Sequence, residues 1–118
     1  MLDPPMTPNG PTPAPSADDQ TETLRYAERL LHAHRWTDAR ATLHRLAMSS
    51  PGVTRYRVLL AYARGEEHAE RGDRDRARAE WRRALTLEPG CAEAKAALGR
   101  VGVASAFVRF FGKLRIRA

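Results

Sequence analysis

Cysteine occurs once in this sequence, at Cys91, which excludes an intramolecular disulfide and any multi-cysteine metal site. Aromatic residues are scarce at 7%, so a core must be built from Ala, Leu and Val. Lysine is nearly absent. Of the 20 cationic residues 18 are Arg, a bias that fits genome composition as well as function. No apolar run approaches the ~18 residues that a membrane-spanning helix needs. The opening residues Met1-Leu2-Asp3-Pro4-Pro5 lack the basic and apolar regions of a secretory signal, which makes the cytoplasm the expected compartment. What remains is the composition of one ordinary domain: 118 residues, 42% hydrophobic and 29% charged. The net charge of +6 is unevenly spread, with −4 in residues 1–23, +4 in 24–94 and +6 in 95–118. The excess therefore belongs to the end of the chain.

Six of the eight prolines fall in the first 15 residues, which hold little to bury, so residues 1–19 are expected to form a disordered Pro-rich tail. A docking ligand for a proline-reading domain is the functional alternative. Asp19 is the expected N-cap of a first helix, with Glu22 reaching back in a capping box. Leu24, Ala27, Leu30 and Leu31 continue that helix at helical spacing to about His34. Thr37 is expected to cap a second helix through Leu43 and Leu46, ended by Ser50-Pro51-Gly52. Thr54 opens a third that Gly72 stops, and Asp73 opens a fourth that Glu88-Pro89-Gly90 ends. A fifth runs from Ala92 to about Leu98, and a terminal apolar-basic stretch, Val103–Ile116, is read as helical. No window alternates with period two, so the expected class is all-α.

The chain repeats itself at an offset of 38 residues, which superposes Ala39 on Ala77, Leu43 on Trp81, Pro51 on Pro89 and Gly52 on Gly90. Each copy reads as a helix, a tight turn, a second helix and a Pro-Gly stop. Such pairs bury their apolar faces only by stacking. The second copy, with Gly65, Gly72-Asp73, Ala77, Trp81, Ala84 and Pro89, resembles the tetratricopeptide (TPR) repeat family. The first copy keeps Ala27, Ala39, Leu43 and Pro51. It departs with Leu46 where Ala is usual and His34-Arg35 where Gly-Asp is usual. A third, incomplete copy begins at Ala92. The resemblance implies an α-solenoid of about two and a half repeats over residues 20–102, and the residue pattern beyond it reads as an amphipathic basic C-terminal helix at 103–118.

By the same resemblance, the first helix of each pair lines a concave groove. That places Leu24, Glu28, Leu31 and His32 in it from copy one, and Leu59, Tyr62, Glu66 and Glu70 from copy two. The partial third copy adds Glu93, Ala96 and Arg100. Family members that clamp a terminal carboxylate carry Lys, Asn and Arg at such positions, and this chain does not. The expected groove is apolar with an acidic rim, suited to a protein or peptide segment bearing apolar and basic residues. Solvation of an ordinary helix face is the competing reading of the same charges.

Val103, Phe107, Phe110 and Leu114 form one helical stripe, flanked by Arg109, Lys113 and Arg115. Phe107, Phe110, Phe111, Lys113 and Arg115 are the contact candidates of this segment. It reads as a cap on the last repeat, as an anchor on an anionic membrane surface or partner helix, or as a tail exchanged into a groove of its own or a neighbouring chain. The last of these would build a homo-oligomer. Arg71, Arg74, Arg78 and Arg82 form a basic stripe that could meet phosphates. Interleaved Asp73, Asp75 and Glu80 and the lack of stacking aromatics argue against nucleic acid. Catalysis finds no support. His32 and His34 point apart on a continuous helix, Glu67-His68 lacks a zinc-peptidase context, and no phosphate loop or nucleophile elbow occurs. Neither a cofactor nor a metal is expected. The overall expectation is a protein–protein interaction adaptor or assembly factor, with a membrane- or nucleic-acid-associated role through the basic tail as the alternative.

Overall fold

The computed structural model describes residues 16–101. They form α1 (Ala17–His32), α2 (Trp36–Ser49), α3 (Thr54–Glu70) and α4 (Arg74–Leu87), with α5 over residues 92–101 at the edge of the described chain. The class is all-α, and no strand occurs among the described residues. Consecutive helices pack on each other, α1 on α2, α2 on α3 and α3 on α4.

The 38-residue period of the sequence is also the period of the backbone. Shifted by 38, α2 coincides with α4 end for end, and the start of α3 with that of α5. The turns repeat as well. Both α1 and α3 end in a Schellman motif: the amide of Arg35 donates to the Leu30 carbonyl at 2.9 Å, and that of Asp73 to the His68 carbonyl at 2.9 Å. The left-handed residue of the second motif is Gly72, with φ of 84°. Its counterpart is His34, with φ of 57°. His34-Arg35, standing where the second copy has Gly72-Asp73, thus leaves the turn unchanged and places a strained side chain in it.

Two helix starts differ from the expectation. Ser16, not Asp19, caps α1, its hydroxyl accepting from the Asp19 amide at 3.2 Å. The helix therefore begins three residues ahead of Gln20, where the repeat region is placed on sequence grounds, and Asp18 and Asp19 lie in its first turn. For α2, Arg35 occupies the cap position without a side-chain cap bond, and Thr37 lies inside the helix. The cause is tertiary. Trp36 is buried in the core, with its indole edge-on to the Tyr62 ring at 6.0 Å and stacked on the His34 ring at 5.0 Å. Burial of one large side chain outweighs a cap worth ~1 kcal/mol.

The interior consists of two clusters with α3 between them. One joins Ala27, Leu30, Leu31, Ala39, Leu43 and Leu46 to Tyr56, Leu59, Leu60 and Ala63. The other joins Val58 and Ala61 to Ala77, Trp81, Ala84, Cys91, Ala94 and Ala97. Tyr62 touches both. Ion pairs fasten the layers: Arg40 Nε meets Glu67 Oε2 at 2.9 Å, Arg100 pairs with Glu66, and Arg55 reaches Glu88 and Glu93, each at 2.8 Å.

Candidate partner-binding cleft

A cleft of about 400 Å³ opens where α1, α3 and α5 come together. Leu31 and Leu59 are its floor, buried in the first cluster, and the half-buried Tyr62 ring is its back. Glu28, His32 and His34 form one rim, and Arg55 and Glu93 form the other. Helical spacing explains α3's share, since Arg55, Leu59 and Tyr62 stand at i, i+4 and i+7 on one stripe. The Glu28 carboxylate has no ion-pair partner among the described residues, whereas every other charge on the rim is engaged.

The far wall is a small network. Arg55 forks between Glu88 and Glu93, and the Cys91 thiol donates to Glu93 Oε2 at 3.3 Å. Burial works to raise the Glu93 carboxyl, but its backbone hydrogen bond, the Cys91 thiol and Arg55 outweigh it and hold the group below the usual carboxylate range. Burial pushes the Cys91 thiol up, and the facing Glu93 carboxylate adds to the shift. Tyr62 is pushed up to about 12, first by burial and then by the Glu66 carboxylate, so its phenol stays a hydrogen-bond donor at physiological pH.

The structure sorts the sequence-derived groove residues. It brings Glu28, Leu31, His32, Leu59 and Tyr62 to one cleft. Leu24 packs instead against the first core cluster. Glu66 is buried and held by Arg100, itself a groove candidate, so this carboxylate is not offered to a partner. Glu70 is exposed at the end of α3, outside the cleft. The acidic rim therefore shrinks to Glu28, because Glu66 and Glu93 are already matched by arginines.

Arg55 and His34 are the residues sequence reading missed. Arg55 was legible from its stripe with Leu59 and Tyr62, but the family resemblance assigns no groove position to it. His34 was expected to point away from His32. That holds only on an uninterrupted helix, and here α1 ends at His32, so the left-handed turn carries His34 to the same rim. No group of three His, Cys, Asp or Glu side chains that could hold a metal ion occurs among the described residues. In the basic stripe, Arg71 pairs with Glu67 at 3.3 Å and Arg78 with Asp75 at 3.6 Å, while Arg74 and Arg82 are exposed. Phe107, Phe110, Phe111, Lys113 and Arg115 lie outside the described residues, as does most of the Pro-rich tail. No helix among the described residues is long and apolar enough to cross a membrane.

Comparison with protein-family models, with curated proteins and with solved structures returned no match.

Proposed function

We propose that this chain is a TPR-like interaction module that docks a segment of a partner protein in the cleft between α1, α3 and α5. The observation that carries the reading is the combination of an apolar floor, Leu31, Leu59 and Tyr62, with one half-buried, unpaired carboxylate at Glu28. Apolar side chains of the partner would cover the floor, and a Lys or Arg would meet Glu28. The other rim offers no free charge to compete, because Arg55 is already held by Glu88 and Glu93, so the unpaired Glu28 sets where the basic residue lies. The repeated helical hairpin and the small-against-large packing at Gly65 and Trp81 support the family assignment. Docking is the use such a stack suits, since it exposes one continuous face.

Selection of peptides from a random library against the full chain tests this. Binders should combine a basic residue with two or more large apolar ones. Glu28→Lys should shift the selected peptides from basic to acidic, and Tyr62→Ala should weaken the originals by about tenfold, the loss of roughly 1.4 kcal/mol of contact. Selection without a basic preference, or binding indifferent to Glu28→Lys, removes the cleft from consideration.

A further inference from the structure

A second and larger cleft, of about 740 Å³, lies between α1 and α2. The internal repeat explains why it is open. Its α1 residues Glu22, Arg25 and Arg29 correspond, 38 positions later, to Leu60, Ala63 and Glu67. In α3 those positions face the preceding hairpin: Leu60 and Ala63 are buried in the first cluster, and Glu67 takes Arg40 of α2. In α1 no helix among the described residues precedes, so the same positions form the end face of the stack. A further hairpin of this type does not suit that face. Glu22 and Arg25 stand where apolar contacts are needed, and Arg29 would meet the counterpart of Arg40, cation against cation.

What the end face presents instead is a set of unmatched guanidinium groups. Arg25, Arg29 and Arg45 all line the cleft, and none has an ion-pair partner among the described residues. Arg40, Arg55 and Arg100 are paired, whereas Arg57, Arg64, Arg74, Arg82 and Arg83 also lack an ion pair among the described residues. What sets Arg25, Arg29 and Arg45 apart is that they line one cleft together. The single carboxylate in the cleft, Glu22, leaves an excess of two positive charges. The Tyr26 ring lies in the same cleft, 45% exposed, with the Arg29 guanidinium carbon 5.9 Å from its centroid. The space matches that of small-molecule sites, roughly 300–1,000 Å³.

We propose that this end-face cleft binds a phosphate-bearing small anion through Arg25, Arg29 and Arg45. A guanidinium presents two parallel N–H donors that match the spacing of phosphate oxygens, and guanidiniums from two helices surround a compact polyanion better than a single carboxylate. Tyr26 offers a ring face on which an attached base can stack. The site is separate from the α1–α3–α5 cleft and does not depend on its reading.

Calorimetric titration of the full chain with sodium tripolyphosphate and with ATP tests the proposal. Both should bind saturably at low salt, and Arg25→Glu with Arg29→Glu should weaken them by about tenfold or more. The control is Arg82→Glu with Arg83→Glu, an exposed pair on α4 that changes net charge equally and should alter affinity by less than about twofold. Equal affinity for the two probes assigns the cleft to the phosphate chain alone. Tighter ATP binding that Tyr26→Ala removes assigns the ring to the base. Should the double α1 variant lose helicity by circular dichroism, Arg45→Gln replaces it. Absence of saturation with either probe, or equal losses in both charge-reversal pairs, overturns the proposal. So does binding confined to long single-stranded RNA, since that reports a diffuse basic field.

Discussion

Gly65 and Trp81 show how one contact is conserved in volume while both of its residues change. A Cβ built on Gly65 would lie 2.3 Å from Trp81 Nε1 and 2.5 Å from its Cδ1, so the indole occupies the space where a side chain would begin. At the corresponding positions of the first copy stand Ala27 and Leu43, both fully buried in one cluster. A small residue grows by a methyl and its large neighbour shrinks to match. Gly65→Ala is expected to destabilise the fold by roughly 1–3 kcal/mol, because a buried ring cannot swing away in a close-packed layer. Adding Trp81→Leu recreates the pair of the first copy and should recover most of the loss, read as a positive coupling in denaturant melts. The exchange also removes the Trp81 indole N–H, which finds no partner among the described residues. Cys91 gives a second expectation at this scale. Its thiol is 1% exposed and its pKa is raised, so the folded protein should react with a thiol reagent at neutral pH far more slowly than the unfolded chain.

Between elements, the ion pairs differ in where they sit. Glu67 is largely buried between α2 and α3, its side chain 11% exposed, and is reached by Arg40 and Arg71 together. Burial works to raise its pKa, but the hydrogen bonds from Arg40 and Thr37 and the two arginine charges prevail, and the group is held below its ordinary value. A carboxylate whose folded pKa is depressed contributes stability that is complete above the unfolded value of about 4.3 and is lost as pH falls through the folded value. Glu67→Gln should therefore lower stability at neutral pH and flatten its acid limb, seen in thermal melts from pH ~6 down to ~2. The caps were only partly legible at this scale. Asp73 and Gly72 announce the α3–α4 turn, because cap chemistry and a left-handed glycine are local properties. The α2 start was not legible, since Trp36 begins that helix through contacts with Tyr62, a residue remote in sequence.

Across the described residues the main packed pairs are consecutive helices, so each layer is held chiefly by its neighbours. Arg55 ties α3 both to the α4–α5 turn, through Glu88, and to α5, through Glu93. Arg55→Ala should speed hydrogen exchange across residues 92–101 while leaving α1 and α2 close to unchanged. A uniform rise in exchange would mean that the stack opens as one unit.

The all-α class, the helix count over the described residues and the 38-residue period were determined by the sequence alone, because apolar spacing, Gly, Pro and Asp act within a few residues. The tertiary structure decided which charges remain for a partner. Glu28, Glu66 and Glu70 look alike on a helical wheel, yet Arg100 takes Glu66, Glu70 lies outside the cleft, and Glu28 alone faces it unpaired. It also decided which face of α1 is left uncovered among the described residues, exposing Arg25 where the second copy buries Ala63. Neither outcome follows from local pattern, since pairing and coverage depend on side chains brought together from helices far apart in the chain.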